Sequence, residues 1–440
     1  MNTKVFVLLA LAATTVNAET LATRVDALLK PYLDYRVFNG VILAARGDTV
    51  VFEKAYGMAN YEFNVPNTIE TRFAIASVTK RFTSVILLKL FAEKKLGADD
   101  PLSKWVPDFP SADAITVRHL MTHMSGVRDP DKLRRLIRMN MTSAEVVGAL
   151  RTEPLGSKPG EVYSYTTANY AILGHIIERV TGKTYAEIVK QYVYDPAGMR
   201  DSGELTTTTV VPRLANGYVA DPYGRGLSVC GMEDTSWKVG GGSSYSTVHD
   251  LHRFVRALYN GTLLPRENAI ASWPLSTILL KRATSLSGAF PGAGANVLYF
   301  PDDDVTVVVL SNNYATVSGS ITQAIAAMLF DQPYTIPTVK IAADPYRTDP
   351  KIVGRYRVEG RPWTFSVTIR DGRPIAAWSA VRQSAMLRVS DDTWFEPLDW
   401  ATLTLKFDDA GKFVGGSFAF PGIEPARVIR EQRCRTRTWP

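Results

Sequence analysis

The chain has 440 residues, 46% of them apolar, and its 50 basic against 43 acidic residues leave a formal net charge of +7. That length and apolar content allow a large domain and a smaller one, each with a real core, and exclude a largely disordered chain. The basic excess is spread out, and the one local run, RCRTRTWP at the C-terminus, is too short to argue for nucleic acid, although weak attraction to an anionic envelope surface is compatible with it. Two cysteines, Cys230 and Cys434, lie far apart; they offer no Cys/His metal cluster, and their spacing does not say whether they pair.

The first residues, MNTKVFVLLALAATTVNA, place Lys4 ahead of an apolar run from Val5 to Ala13 and end on Val16-Asn17-Ala18. This pattern predicts a secretory signal peptide over residues 1–18, cut after Ala18, and a periplasmic or secreted protein. Loss of Lys4 lowers the net charge to +6. No later segment offers about 18 uninterrupted apolar residues, so no transmembrane segment is expected. No cysteine follows the run, and nothing supports a lipid anchor.

LATRVDALLKPYLD then carries apolar residues at helical spacing, and FNGVILAARGDTVVFEKAYG reads as two strands about the Arg46-Gly47-Asp48 turn. A helix is predicted from Ser77, with its apolar face through Phe82, Val85, Leu88 and Phe91 and a stop at Gly97. Helical patterns recur around 116–123, 142–151, 168–181, 184–194 and 247–259, the last opened by Thr247 and Asp250 as a capping box with aspartate in the glutamate place. Strands return at NVLYFP and VTVVVLSNN around the acidic turn Asp302-Asp303-Asp304. A unit over 19–332 is therefore followed by a proline-rich linker over 333–350. Beyond it, over 351–432, short alternating segments with turns at Asp371-Gly372 and Asp409-Ala410-Gly411 predict a small antiparallel barrel or sandwich.

Chemistry concentrates at AIASVTKRF, which sets Ser77 three residues before Lys80. On a helix these positions share a face, so the lysine amine reaches the serine hydroxyl and, if neutral, takes its proton. Burial has to lower the lysine pKa for that to work. The Ser77 N–H at a helix start also points to where an oxyanion develops. The plain alternative is an N-cap serine followed by a solvated lysine. His119 and His123 stand four apart, but the intervening LMT lacks the glutamate of a zinc hydrolase, and they read as structural. There is no Gly-x-Ser-x-Gly elbow, Walker loop or dinucleotide fingerprint; no metal and no cofactor are expected.

SVTKRFTS, followed by ITVRHLMTHMSGV, PGEVYSYTTANYAILG and GGGSSYSTVHDLHRF, resembles the class C serine β-lactamase and penicillin-binding-protein-like hydrolase family, over about Leu21 to Asn313. The resemblance implies an α+β fold: an antiparallel sheet flanked by helices beside a helical subdomain, the serine lying in the cleft between them. The C-terminal segment resembles the lipocalin-like barrel appended in some relatives. Carried over by motif, Ser77 is the acylated nucleophile, Lys80 a proton acceptor and Tyr165 a second proton carrier, with a pKa lowered by the lysine ammonium. The second motif, usually Tyr-x-Asn, here reads Tyr165-Thr166-Thr167, so Thr167 replaces an amide that contacts substrate. The third, usually Lys or His, then Thr or Ser, then Gly, aligns with Leu286-Ser287-Gly288. These three residues with Thr167 form the expected substrate-binding set. The missing cation at Leu286 argues against a clamped penicillin-like carboxylate. The backbone N–H groups of Ser77 and Ala289 form the expected oxyanion hole.

The expected function is an exported serine hydrolase acting on a small-molecule or peptide ester or amide, as an esterase or D-amino-acid-type peptidase, rather than an efficient β-lactamase. Two alternatives stay open: an acyltransferase of the same family, and a catalytically impaired homologue that binds envelope peptide or glycan. Oligomeric state is not legible.

Overall fold

The structure is a computed structural model that describes residues 20–129, 140–206, 208–220, 226–230, 234–273, 275–315, 317–361, 363–379, 382–420 and 424–431. The expected signal peptide, Cys434 and the basic tail lie outside the described residues.

Strands β1 (Gly40–Arg46) and β2 (Thr49–Tyr56) form the predicted hairpin. With β3 (Ser276–Ile278), β4 (Lys281–Phe290), β5 (Ala293–Phe300) and β6 (Val305–Ser311) they build a six-stranded sheet ordered β3-β4-β5-β6-β1-β2. Every neighbouring pair is antiparallel, with Gly40 opposite Ser311 and Arg46 opposite Val305 where β1 meets β6. All residues of β5 and β6 are buried. Such continuous apolar strands require cover on both faces. Val41, Leu43, Val308 and Leu310 pack into one core with α2 (Thr79–Ala92) and α4 (Val248–Tyr259), while Ile42, Ala44, Val307 and Val309 pack into another with α1 (Leu21–Asp34) and α5 (Ser318–Leu329).

Between α2 and α4 the regular elements among the described residues are mostly helices, joined by long loops. The main element is α3 (Thr167–Thr181), opened by the Thr166 side chain accepting from the Ala168 N–H and stopped by Gly182 at φ 68°, a left-handed turn that glycine adopts without strain. At α4, the Thr247 hydroxyl accepts from the Asp250 N–H, as expected of a cap. The Asp250 carboxylate does not complete the box; it accepts from the Asp201 N–H and pairs with Arg253. Aspartate is one methylene shorter than the glutamate that usually reaches back. Among the described residues no helix is long and apolar enough to cross a membrane.

Residues 332–349 carry no regular element, but Tyr334, Val339 and Ile341 pack on the α1/α5 core. Nine antiparallel strands follow, from Gly354–Val358 to Ala426–Arg430. The first pairs with the last, and the two outermost strands, Gln383–Ala385 and Leu387–Arg388, are separated only by Met386, so the barrel nearly closes. Strand alternation decides how it docks. Trp394 points into the barrel core with Tyr356, Leu403 and Phe418, whereas the next residue, Phe395, points out to Tyr35 at a ring separation of 5.3 Å. Trp400 lies 4.6 Å from the Tyr32 ring and 5.4 Å from Tyr35. Replacing fully buried Phe395 by alanine removes the centre of this aromatic cluster, and urea unfolding is expected to show a loss of about 3–5 kcal/mol.

Candidate active site

Ser77 sits on a single 3-10 turn, Ala76–Val78, and α2 begins only at Thr79. The expected position of Ser77 at the start of the α-helix is therefore corrected by two residues. Val78 occupies the cap position and no side chain caps the helix, so Ser77 does not act as an N-cap. Its Oγ lies instead 3.1 Å from Lys80 Nζ and accepts a 2.8 Å hydrogen bond from the Tyr165 hydroxyl. The turn depends on Ala76 at φ 46°, a left-handed conformation costing a β-carbon-bearing residue about 1–2 kcal/mol. Such strain persists where tertiary contacts over-determine it. Here the Ile75 N–H bonds to the Ser244 carbonyl behind the turn. In front, β4 closes so tightly that a β-carbon on Gly288 would stand 2.2 Å from the Ile75 carbonyl oxygen and 2.9 Å from the Ser77 nitrogen.

Lys80 is 7% exposed and donates a second hydrogen bond, 2.6 Å, to the Gly241 carbonyl. Its amine lies 5.0 and 5.5 Å from the ring centroids of Tyr165 and Tyr170. Burial lowers its pKa to about 7, against an opposing pull from the Asp129 carboxylate. A large share of the lysine is neutral at ordinary pH, the condition for accepting a proton from Ser77. Gly241 holds its place because α3 presses on it: a β-carbon there would meet Thr167 Cγ2 at 2.9 Å.

The Tyr165 ring is exposed, but its hydroxyl reaches Ser77. Its pKa is raised, by desolvation first, then by Asp129, with the Ser77 hydrogen bond opposing. This reverses the expected lowering, which assumed a full ammonium alongside, whereas Lys80 is itself desolvated and partly neutral. Tyr165 is held from behind by His123, whose ring lies 4.5 Å away. His123 Nδ1 accepts from the Thr166 N–H and contacts Asn169 Nδ2, and burial followed by the Lys80 charge lowers its pKa to about 4, keeping the imidazole neutral. Asp129 binds Thr166 Oγ1 and accepts from the Ala168 N–H.

Two cavities open at Ser77. The larger, about 310 Å³, is lined by Tyr165, Ser287, Gly288, Ala289 and Asn296 among others; the smaller, about 170 Å³, by Lys80, Arg81, Tyr170, Trp273, Leu286 and Ser287. The third-motif residues thus meet Ser77, with Leu286 3% exposed and part of the core. Asn296 Nδ2 donates to Ser287 Oγ at 2.7 Å, and its Oδ1 accepts from Thr322 Oγ1. Thr167 lines neither cavity; it packs on Gly241 instead. His119 accepts from the Thr116 N–H in a helix cap, and no group of three His, Cys, Asp or Glu among the described residues is placed to hold a metal ion. His123, Gly241, Asn296 and Arg81 are the site residues that sequence reading missed. The signal for His123, Gly241 and Arg81 is membership of the segments that carry the resemblance, and for Asn296 only its place at the head of the NVLYFP strand.

The buried amine is a cost to the fold, with a definite sign. An unfolded lysine stays protonated to about pH 10.4, so between about 7 and 10.4 the unfolded chain binds more protons and stability rises with pH. The penalty is full below about 7 and gone above about 10.4. It corresponds to ~5 kcal/mol, offset in a deletion by ~1–3 kcal/mol for the orphaned Gly241 carbonyl. Lys80→Met is therefore expected to raise Tm by several degrees at pH 6, with the gain shrinking and then reversing towards pH 10, in thermal melts across that range.

The family model described as Beta-lactamase matches residues 25–329. Penicillin-binding protein 4* of Bacillus subtilis (strain 168) is 28% identical over 359 residues, covering 72% of this chain and 78% of that one. Esterase EstB of Burkholderia gladioli is 29% identical over 303 residues, covering 59% and 76%. The octameric penicillin-binding protein homologue from Pyrococcus abyssi superposes with a TM-score of 0.62 at 22% identity over 93% of this chain and 100% of that one, a likeness of fold that extends into the barrel. With a family model matched across most of its length, the chain belongs to the beta-lactamase family and is a serine hydrolase related to the penicillin-binding proteins.

Proposed function

We propose that this is an exported enzyme that cleaves a carboxylic ester or a neutral amide through an acyl-enzyme on Ser77. The observation that carries the reading is the pair of contacts on one serine oxygen, 3.1 Å to a buried lysine amine and 2.8 Å to a phenol. Neutral Lys80 takes the Ser77 proton as Oγ attacks the carbonyl carbon. The Tyr165 hydroxyl lies within reach of the same oxygen and relays a proton from the lysine ammonium to the leaving group. Water then attacks the acyl carbonyl, and the proton path runs in reverse to release the acid.

The Ser77 and Ala289 N–H groups are the proposed oxyanion donors. Two features support them: the closeness of Gly288 to the Ser77 nitrogen, and a β4 strand that, among the described residues, has a strand partner on only one side from Thr284 to Phe290. Leu286 in the third motif and Thr167 in the second favour an ester or neutral amide over a β-lactam. The esterase among the relatives supports an ester, and the Met1–Ala18 pattern supports export to the periplasm or medium.

Intact-mass analysis after exposure to a fluorophosphonate should show one adduct on the parent and none on Ser77→Ala. For a neutral ester, kcat/KM should rise with pH through an apparent pKa of about 7, as Lys80 loses its proton. Tyr165→Phe should lower kcat about 10²–10⁴-fold. An unlabelled parent would sink the reading.

A further inference from the structure

The smaller cavity contains a cation that the acyl-transfer steps do not use. Arg81 follows Lys80 on α2, four residues after Ser77, and lines the 170 Å³ space with Ser77, Lys80, Trp273 and Leu286. One face of its guanidinium is covered by the Trp273 indole, with Cζ 4.2 Å from the ring centroid. Tyr170 and Tyr259 are the other titratable groups acting on it. No carboxylate among the described residues pairs with it, and Nη1 is buried without a hydrogen-bond partner. A buried donor left unsatisfied costs about 1–3 kcal/mol, more when charged, a cost that an arriving acceptor removes. A guanidinium stacked on an indole keeps its N–H edge free for in-plane hydrogen bonds, the geometry a carboxylate matches. The same cavity is lined by Leu286, where the third motif has lost its own cation.

We propose that Arg81 is the specificity-determining residue of this cleft and receives a carboxylate carried by the substrate a few bonds from the carbonyl that Ser77 attacks. The charge that relatives place on the strand is supplied here from the helix, at a different angle, so a substrate is selected by a short acid arm instead of a penicillin-like geometry. The proposal rests on the reading of Ser77 as nucleophile.

The test uses two esters of equal chain length, mono-4-nitrophenyl succinate and 4-nitrophenyl butyrate, which differ in ending on a carboxylate or a methyl group. The ratio of kcat/KM for succinate to butyrate should fall at least ~10-fold in Arg81→Gln, with Arg81→Lys intermediate; a stacking residue with only a structural role leaves the ratio unmoved. An unchanged ratio in both variants, each confirmed folded by circular dichroism, overturns the proposal. Calorimetric binding of mono-4-nitrophenyl succinate to Ser77→Ala, with and without Arg81→Gln, separates this from failure of the nucleophile. A Kd weakened at least ~10-fold by Arg81→Gln supports the carboxylate site even if the parent is never acylated; equal Kd values, or no binding to either protein, overturn it.

Discussion

The site depends on keeping the Lys80 amine out of water. An exposed lysine is an ammonium at neutral pH and cannot accept a proton, so desolvation is what makes it usable. The same amine must still have hydrogen-bond acceptors, and it has two, Ser77 Oγ and the Gly241 carbonyl. Much of the surrounding structure meets this double requirement. The segment from Gly240 to Ser244 is fixed to α2 by the Thr83 hydroxyl on the Gly240 carbonyl and by the Ser244 N–H on Thr79 Oγ1. Glu204 holds that segment from beneath, accepting from Ser243 and Ser244 hydroxyls.

The phenol opposite is governed by the same desolvation. Desolvation moves the Tyr165 pKa further above a phenol's ordinary value, so the resting site contains a partly neutral amine and a neutral phenol on one serine oxygen, with no fixed net charge among the three. His123, kept neutral by burial and by the nearby lysine, adds aromatic support without adding charge. Asp129 is the nearby anion that acts on all three titratable groups, and its carboxylate is engaged with Thr166 and the Ala168 N–H.

Much of this was legible in the sequence, for reasons that can be named. The Arg46-Gly47-Asp48 hairpin, the largely apolar strand VTVVVLS and the alternating C-terminal segments announce themselves by period and turn residues. Ser77 and Lys80 are legible because residues three apart at a helix start lie one turn from each other, although the 3-10 turn that carries Ser77 is set by its tertiary contacts. What stayed hidden depends on tertiary support. Ala76 has no left-handed preference, and only the contacts around it hold that conformation. The Gly241 acceptor is a backbone oxygen, which has no residue type to betray it. The Tyr165 pKa was misjudged because a motif reports neighbours and not their degree of solvation. Thr167 was placed in the cleft by alignment, whereas packing against Gly241 turns it to another use.

The strand that opens the sheet in sequence lies inside it in space. β1 is paired on one side with β2 and on the other with β6, Gly40 meeting Ser311, and α1 just before it is covered in part by Trp400 of the barrel. A chain emerging N-terminus first cannot complete its central sheet until β6 has been made, nor seal its first helix until the barrel exists. Non-local closure of this kind is slow, since loop entropy is spent before the contacts that reward it can form. The chain therefore reaches its compact form in two late closures, the sheet when β6 pairs with β1 and the first helix when Trp400 arrives to cover it.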